Sequence, residues 1–187
     1  MLIINLKQQI RKKILLNCSK LTTEERADME CQTLHNMFDL LDKATSIAVY
    51  HAYGVEFDLK QIIQFCLSRG KYLYQPVAYR HTKTMLLEEF CWDKSSVFSP
   101  AAYIPKHVIE WYNVDLILVP VVAVDFLGYR LGKGGGYYDT TLAKINRMST
   151  CLCGIGYGSI QQVEVLPHEN FDVRLDYFAC ENGLNKF

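Results

Sequence analysis

The run Asp115-Leu116-Ile117-Leu118-Val119-Pro120-Val121-Val122-Ala123-Val124-Asp125 leads into Leu127-Gly128-Tyr129-Arg130-Leu131-Gly132-Lys133-Gly134-Gly135-Gly136-Tyr137-Tyr138-Asp139. The first part is apolar and rich in β-branched residues, which predicts a buried strand over 115–124. The second part is a glycine-rich, cationic turn that opens a helix near 138–148. Thr150-Cys151-Leu152-Cys153-Gly154-Ile155-Gly156 then reads as a returning strand. Strand, turn, helix and strand make a β-α-β unit, so this stretch decides for an α/β fold. A turn of this composition suits an anion. Glycines let the backbone come close, and the N–H groups of the turn and helix start point at the ligand. The pattern is not a P-loop, because Gly128 and Gly132-Lys133 are one residue too close and Gly134 stands where Ser or Thr would meet magnesium. It is not a dinucleotide fingerprint either, because Tyr137 occupies the place of the third glycine. Arg130 and Lys133 add positive charge, and Asp139 at the helix start is a candidate metal ligand that would in turn hold phosphate.

Outward from this stretch, a second β-α-β unit is expected earlier in the chain. Ser46–Tyr50 predicts a short buried strand, Leu59–Arg69 a helix with Asp58 as N-cap and Gly70 just past its end, and Lys71–Gln75 a strand stopping at Pro76. Leu6, Ile10 and Ile14 mark one face of a helix over 6–16, with Lys7 and Arg11 one turn apart on a neighbouring face. Thr22 and Glu25 form a capping box, opening a helix whose core stripe is expected at Ala27, Cys31, Leu34, Phe38 and Leu41. Thr84–Phe90 reads as an added strand, residues 93–113 as the least periodic part, and Asp176–Cys180 as a last strand. The expected architecture is a single α/β domain with a mainly parallel, Rossmann-like sheet and helices on both faces. Ligands of such sheets bind beyond the carboxyl ends of the strands. The loops at 51–57, 76–83, 125–138 and 156–162 would share that rim.

Bulk composition narrows the class. The chain has 187 residues, half of them hydrophobic, with 20 Lys+Arg against 20 Asp+Glu. That balance speaks against a nucleic-acid grip. No run reaches transmembrane length and the apolar start is too short for a signal peptide, so a cytoplasmic protein with no membrane partner is expected. The seven cysteines show no paired C-x-x-C units and are expected as reduced core residues.

The segment Arg130–Asp139 closely resembles the signature of the 5-formyltetrahydrofolate cyclo-ligase family, also called methenyltetrahydrofolate synthetase. The similarity extends over nearly the whole chain, through Lys7-x-x-x-Arg11, Tyr50-His51, Glu56 and Leu166-Pro167-His168-Glu169-x-x-Asp172-x-x-x-Asp176. The resemblance implies an ATP- and Mg²⁺-dependent cyclisation of 5-formyltetrahydrofolate to 5,10-methenyltetrahydrofolate, with ADP and phosphate released. It implies that Lys7 and Arg11 contact the ATP phosphates, and that Arg130, Lys133 and the backbone of Leu131, Gly132, Gly134, Gly135, Gly136, Tyr137 and Tyr138 cradle them. Arg130 and Lys133 would neutralise charge during transfer. Asp139 and Asp176 would hold Mg²⁺. Glu56 would hydrogen-bond the pterin ring, His51 would occupy a neighbouring substrate position, and Tyr157 and Gln161 would line the folate or the nucleotide side. Tyr137 and Tyr138 either stack on a ligand ring or pack the helix start.

Two departures stand out. Histidine at 51 replaces a side chain that is more often apolar or aromatic in the family, and Ala102–Lys106 differs from the family's usual stretch, where Lys106 would suit the glutamate tail of a polyglutamylated folate. A monomer or weak dimer is expected. A folate- or nucleotide-binding protein without turnover is the alternative reading, and a phosphosugar isomerase of similar architecture is a third.

Overall fold

The apolar run 115–125 folds as two strands, not one. In the computed structural model, which describes residues 2–79, 84–91, 108–145 and 147–187, these strands lie in different sheets. In chain order the helices are α1 Leu2–Cys18, α2 Thr23–Asn36, α3 Phe38–Lys43, α4 Lys60–Ser68, α5 Tyr137–Leu142 and α6 Gly158–Gln161. The strands are β1 Ser46–Ala48, β2 Tyr72–Tyr79, β3 Thr84–Glu89, β4 Val108–Ile109, β5 Leu116–Pro120, β6 Ala123–Asp125, β7 Arg130–Leu131, β8 Cys151–Ile155, β9 Gln162–Val163, β10 Tyr177–Cys180 and β11 Gly183–Lys186.

The large sheet runs β11-β10-β8-β5-β1-β2-β3-β4. Its five central strands pair in parallel, and the antiparallel partners β3, β4 and β11 extend both edges. The second sheet, β7-β6-β9, carries the glycine turn directly after β7. Between β5 and β6 the chain leaves the ladder at Val121 and Val122. The buried Gln161 amide donates to both of their carbonyls, at 2.7 and 3.2 Å, so the break leaves neither unsatisfied. Alternate residues of β5 enter two core clusters. Leu116 and Leu118 join Ile14, Leu41 and Ile62, while Ile117 and Val119 join Trp111, Leu142 and Ile145.

The β1-α4-β2 unit forms as expected, with Ser46 beside Tyr72 in parallel register and Gly70 at φ +68° closing the helix. The helix begins one residue late, at Lys60, whose N–H is held by the Asp58 carboxylate at 2.9 Å. Strand β2 does not stop at Pro76. Its pairing with β1 ends at Tyr74, so the missing proline N–H falls where the strand pairs only with β3. The Thr22–Glu25 capping box is present in both directions. The helix it opens breaks at Met37, and its stripe follows the expected one only in part: Leu41 is buried as expected, but Thr33 and Met37 are buried too, while Ala27, Cys31 and Phe38 are exposed. Helix α5 ends at Leu142, short of 148, because Lys144 and Ile145 already donate to the i−3 carbonyls that close a helix. The expectations at 93–107, including Lys106, fall outside the described residues. Among the described residues no helix is long and apolar enough to cross a membrane.

Gly128, at the tip of the β6–β7 hairpin, has φ +84°, and an added Cβ would lie 2.8 Å from the Phe187 ring. Gly128→Ala therefore combines left-handed strain with a collision, and urea titration should show a loss of about 2 kcal/mol or more. Pairing it with Phe187→Ala should recover the collision part only.

Candidate active site

The glycine turn gets its shape from its conformations and its position from a buried arginine. Gly134 and Gly136 sit at φ +97° and +75°, a region that side chains with a Cβ avoid, and Gly136 caps α5. Among the described residues, the N–H groups of Lys133, Gly134, Gly135 and Gly136 have no hydrogen-bond acceptor. A run of open amides in a turn is a concave anion site. Below it, the Arg130 side chain is only 2% exposed and donates to Asp139 Oδ1 at 2.6 Å and to the Val173 carbonyl at 2.9 Å. Burial pushes its pKa down, and Asp139 opposes that shift.

Helix α1 meets the turn from the side. Arg11 Nε donates to the Gly132 carbonyl at 2.7 Å, and its guanidinium lies so close that a Cβ on Gly134 would be 3.5 Å from Cζ. Burial lowers the Arg11 pKa against the pull of Asp139 and Asp172. One turn earlier, Lys7 Nζ bonds Asp172 Oδ2 at 2.8 Å and Glu169 Oε2 at 3.1 Å. Burial works to lower the Lys7 pKa, but these two carboxylates outweigh it and the net shift is upward.

The loop after β1 closes the other side. Lys133 Nζ pairs with Glu56 Oε1 at 2.8 Å and lies over the Tyr53 ring at 5.2 Å. Glu56 Oε2 also accepts from Tyr53 N–H at 2.7 Å. The loop is anchored from beneath by the buried Tyr50, whose hydroxyl donates to the Phe57 carbonyl at 3.0 Å. His51, at its start, stacks on Phe90 and reaches Gln75.

Arg11, Lys133, Glu56 and the open amides are thus brought together, with Lys7 one helical turn away. Other expected site residues are placed elsewhere. Arg130 is an internal strut and faces no open surface. Tyr157 is 0% exposed and lines no open site: its hydroxyl donates to Glu30 Oε1 at 2.8 Å and accepts from Arg26 at 3.2 Å. Burial and the Glu30 partner push its pKa well up. Gln161 is the buried clamp of the β5–β6 break. Tyr138 meets Trp111 edge-on, and Tyr137 and Tyr138 both pack on the second core cluster.

Asp139 and Asp176, expected as a magnesium pair, share no partner among the described residues. Asp176 precedes β10 at the amino-terminal edge of the sheet, where it accepts from Leu152 N–H at 2.8 Å and pairs with Arg147 at 2.5 Å. The two carboxylates do not fit one metal ion, and among the described residues no group of three His, Cys, Asp or Glu side chains could hold one. Of the seven cysteines, Cys18, Cys66, Cys153 and Cys180 are buried free thiols, Cys91 and Cys151 are partly buried, and Cys31 is exposed.

Two polar networks escaped the sequence reading. Arg26 and Glu30 look like a solvated helix face but reach inward to Tyr157, and Arg26 extends to the Val55 carbonyl at 3.5 Å, steadying the Glu56 loop. Burial raises the Glu30 pKa against those bonds. Gln75 and Glu88 face each other across β2 and β3. The available signal was Gln75 amid the apolar and aromatic residues of β2; Glu88, next to Glu89 at the end of β3, gave none.

A family model described as the 5-formyltetrahydrofolate cyclo-ligase family matches residues 3–181. The Haemophilus influenzae protein named 5-formyltetrahydrofolate cyclo-ligase is 32% identical over 178 residues, 90% of this chain and 94% of its own. The Escherichia coli K12 protein of the same name is 29% identical over 164 residues, covering 83% and 89%. The NMR structure of Aquifex aeolicus 5,10-methenyltetrahydrofolate synthetase aligns with TM-score 0.77 at 28% identity, covering 97% of this chain and 92% of that one. A Mycoplasma pneumoniae 5,10-methenyltetrahydrofolate synthetase structure, at 23% identity and TM-score 0.77 over 94% and 98%, shares the fold.

Asp176→Ala removes an exposed ion pair and one charge-assisted bond, and should cost about 1–2 kcal/mol in chemical denaturation. The magnesium dependence of nucleotide affinity should stay that of the parent chain. Loss of that dependence in the variant would restore Asp176 as a ligand.

Proposed function

The chain belongs to the 5-formyltetrahydrofolate cyclo-ligase family, and on that premise we propose that it closes 5-formyltetrahydrofolate to 5,10-methenyltetrahydrofolate at the expense of ATP, releasing ADP and phosphate. The observation that carries this reading is the Lys133–Glu56 ion pair. It joins a turn built for phosphate to the loop that would hold the pterin, so the two substrates would meet across a single 2.8 Å contact.

The chemistry explains the need for both halves. A formamide oxygen is a poor leaving group, and transfer of the terminal phosphoryl group to it makes it leave as phosphate once the substrate's N10 has attacked the formyl carbon. Little covalent work falls to the protein, whose task is to align the reactants and neutralise charge. In this reading the amides of 133–136, Arg11 and Lys133 bind the phosphates, and Lys7 adds charge one turn back. Arg130 acts through the turn and Asp139 instead of touching the nucleotide. Glu56 accepts from the donor edge of the pterin. Magnesium enters as the companion of the triphosphate, as such ions commonly do with one or two carboxylates and several waters. A cytoplasmic enzyme acting as one domain, alone or as a weak dimer, completes the proposal.

Purified protein with 5-formyltetrahydrofolate and magnesium-ATP should produce the near-ultraviolet absorbance of the methenyl product, and none without ATP. Folded protein that binds both substrates in calorimetry but makes no chromophore would be a binder without turnover, and product formed without ATP would also overturn the reading. Lys133→Ala should raise the KM for ATP at least tenfold with only a small fall in melting temperature, because the Glu56 carboxylate keeps the Tyr53 N–H.

A further inference from the structure

We infer that His51 is the proton acceptor for ring closure, held in one tautomer by Gln75 and Glu88. The inference rests on the cyclo-ligase reading and adds a catalytic residue to it. The tautomer follows from three contacts. Cys91 N–H, which can only donate, meets Gln75 Oε1 at 3.2 Å. That fixes the carbonyl end of the amide, and its Nε2 donates to Glu88 Oε1 at 2.9 Å. His51 Nε2 lies 2.7 Å from the same Gln75 Oε1, so it must carry the proton, and the neutral ring has its lone pair on Nδ1. Gln75 and Glu88 are 3% and 2% exposed, so the amide cannot swing out to water to reverse the arrangement. The Phe90 ring, 5.2 Å away and tilted by 17°, fixes one face of the imidazole.

The placement matches the task. His51 begins the loop that follows the carboxyl end of β1, and Glu56 of the same loop touches the glycine turn through Lys133. His51 is partly exposed, and among the described residues its Nδ1 has no partner. Among the described residues, the titratable groups around it are Cys91 and, through Gln75, Glu88. Glu56 with Lys133 lies farther along the loop. During closure N10 forms a bond to the formyl carbon and must lose its hydrogen. The N10–H pair stays on nitrogen, the proton passes to His51 Nδ1, and the carbon–oxygen bond of the phosphorylated formyl group breaks with its electrons leaving as phosphate. A positioned base of this kind accelerates such a step by about a hundredfold or more.

The test compares the parent with His51→Phe, which keeps the stack on Phe90, and His51→Gln, which keeps an acceptor but is no base. Both should lower kcat about a hundredfold with the folate KM within threefold, and both should lose the acid limb of the kcat profile, where protonation of the acceptor stops the parent. Added imidazole should restore part of kcat in His51→Ala. A parent that forms no chromophore overturns the cyclo-ligase reading and this inference with it. An active parent matched in kcat and pH profile by His51→Phe overturns only the role of His51. A raised KM with unchanged kcat does so too, by making His51 a substrate contact alone.

Discussion

The buried guanidinium of Arg130 is the constraint from which the geometry of the site follows. A charge that is almost wholly removed from water must keep its partners, because leaving it unpaired would cost several kcal/mol. Its two contacts, Asp139 and the Val173 carbonyl, belong to α5 and to the segment leading into β10. Holding both fixes where β7 ends and where the helix begins. The turn between them has few conformations left, and its glycines at positive φ supply the ones that remain. The open amides are therefore set in place before any ligand arrives, which is what electrostatic preorganisation requires.

A similar economy governs the second sheet. Asp125 is buried and, among the described residues, has no opposing cation, yet its oxygens accept from the N–H groups of Leu127, Tyr129 and Leu166. Three amide donors stabilise a carboxylate well. They also tie the β6–β7 hairpin to the start of the loop bearing Glu169 and Asp172, and so to Lys7. The glycine turn is thus framed by Arg130 on one side and by the Asp125 hairpin on the other.

Much of this was legible in the sequence. The capping box at Thr22, the β1-α4-β2 unit and the glycine turn were readable because local chemistry fixes each of them. What could not be read were inward-facing polar side chains. Arg130, Tyr157 and Gln161 look like ligand contacts in a list of residue types, and only the packing shows them satisfied by Val173, Glu30 and Val121. Asp176 misled for a related reason. Its spacing from Asp172 says nothing about which end of a strand it occupies, and a strand start points it toward Arg147 and away from the turn. The run 115–125 hid its break because Pro120 and two valines look alike in one long strand or two short ones.

The cations around the turn differ in how readily they can meet a phosphate. Lys7 is 13% exposed and held by two carboxylates, so exchanging them for a phosphate would strand Glu169 and Asp172. Arg130 is not available at all. Arg11 uses Nε on the Gly132 carbonyl and has nitrogens to spare beside Gly134, so it can serve the turn and an anion together. Lys133 is 45% exposed, and its partner Glu56, though only 12% exposed, keeps the Tyr53 N–H when the lysine leaves. It is the cation that can change partner at least cost, and when it does, it releases Glu56. In the proposed reaction that release frees the pterin acceptor as the nucleotide binds, so the same ion pair would couple the two substrates and set the affinity of each in the other's presence.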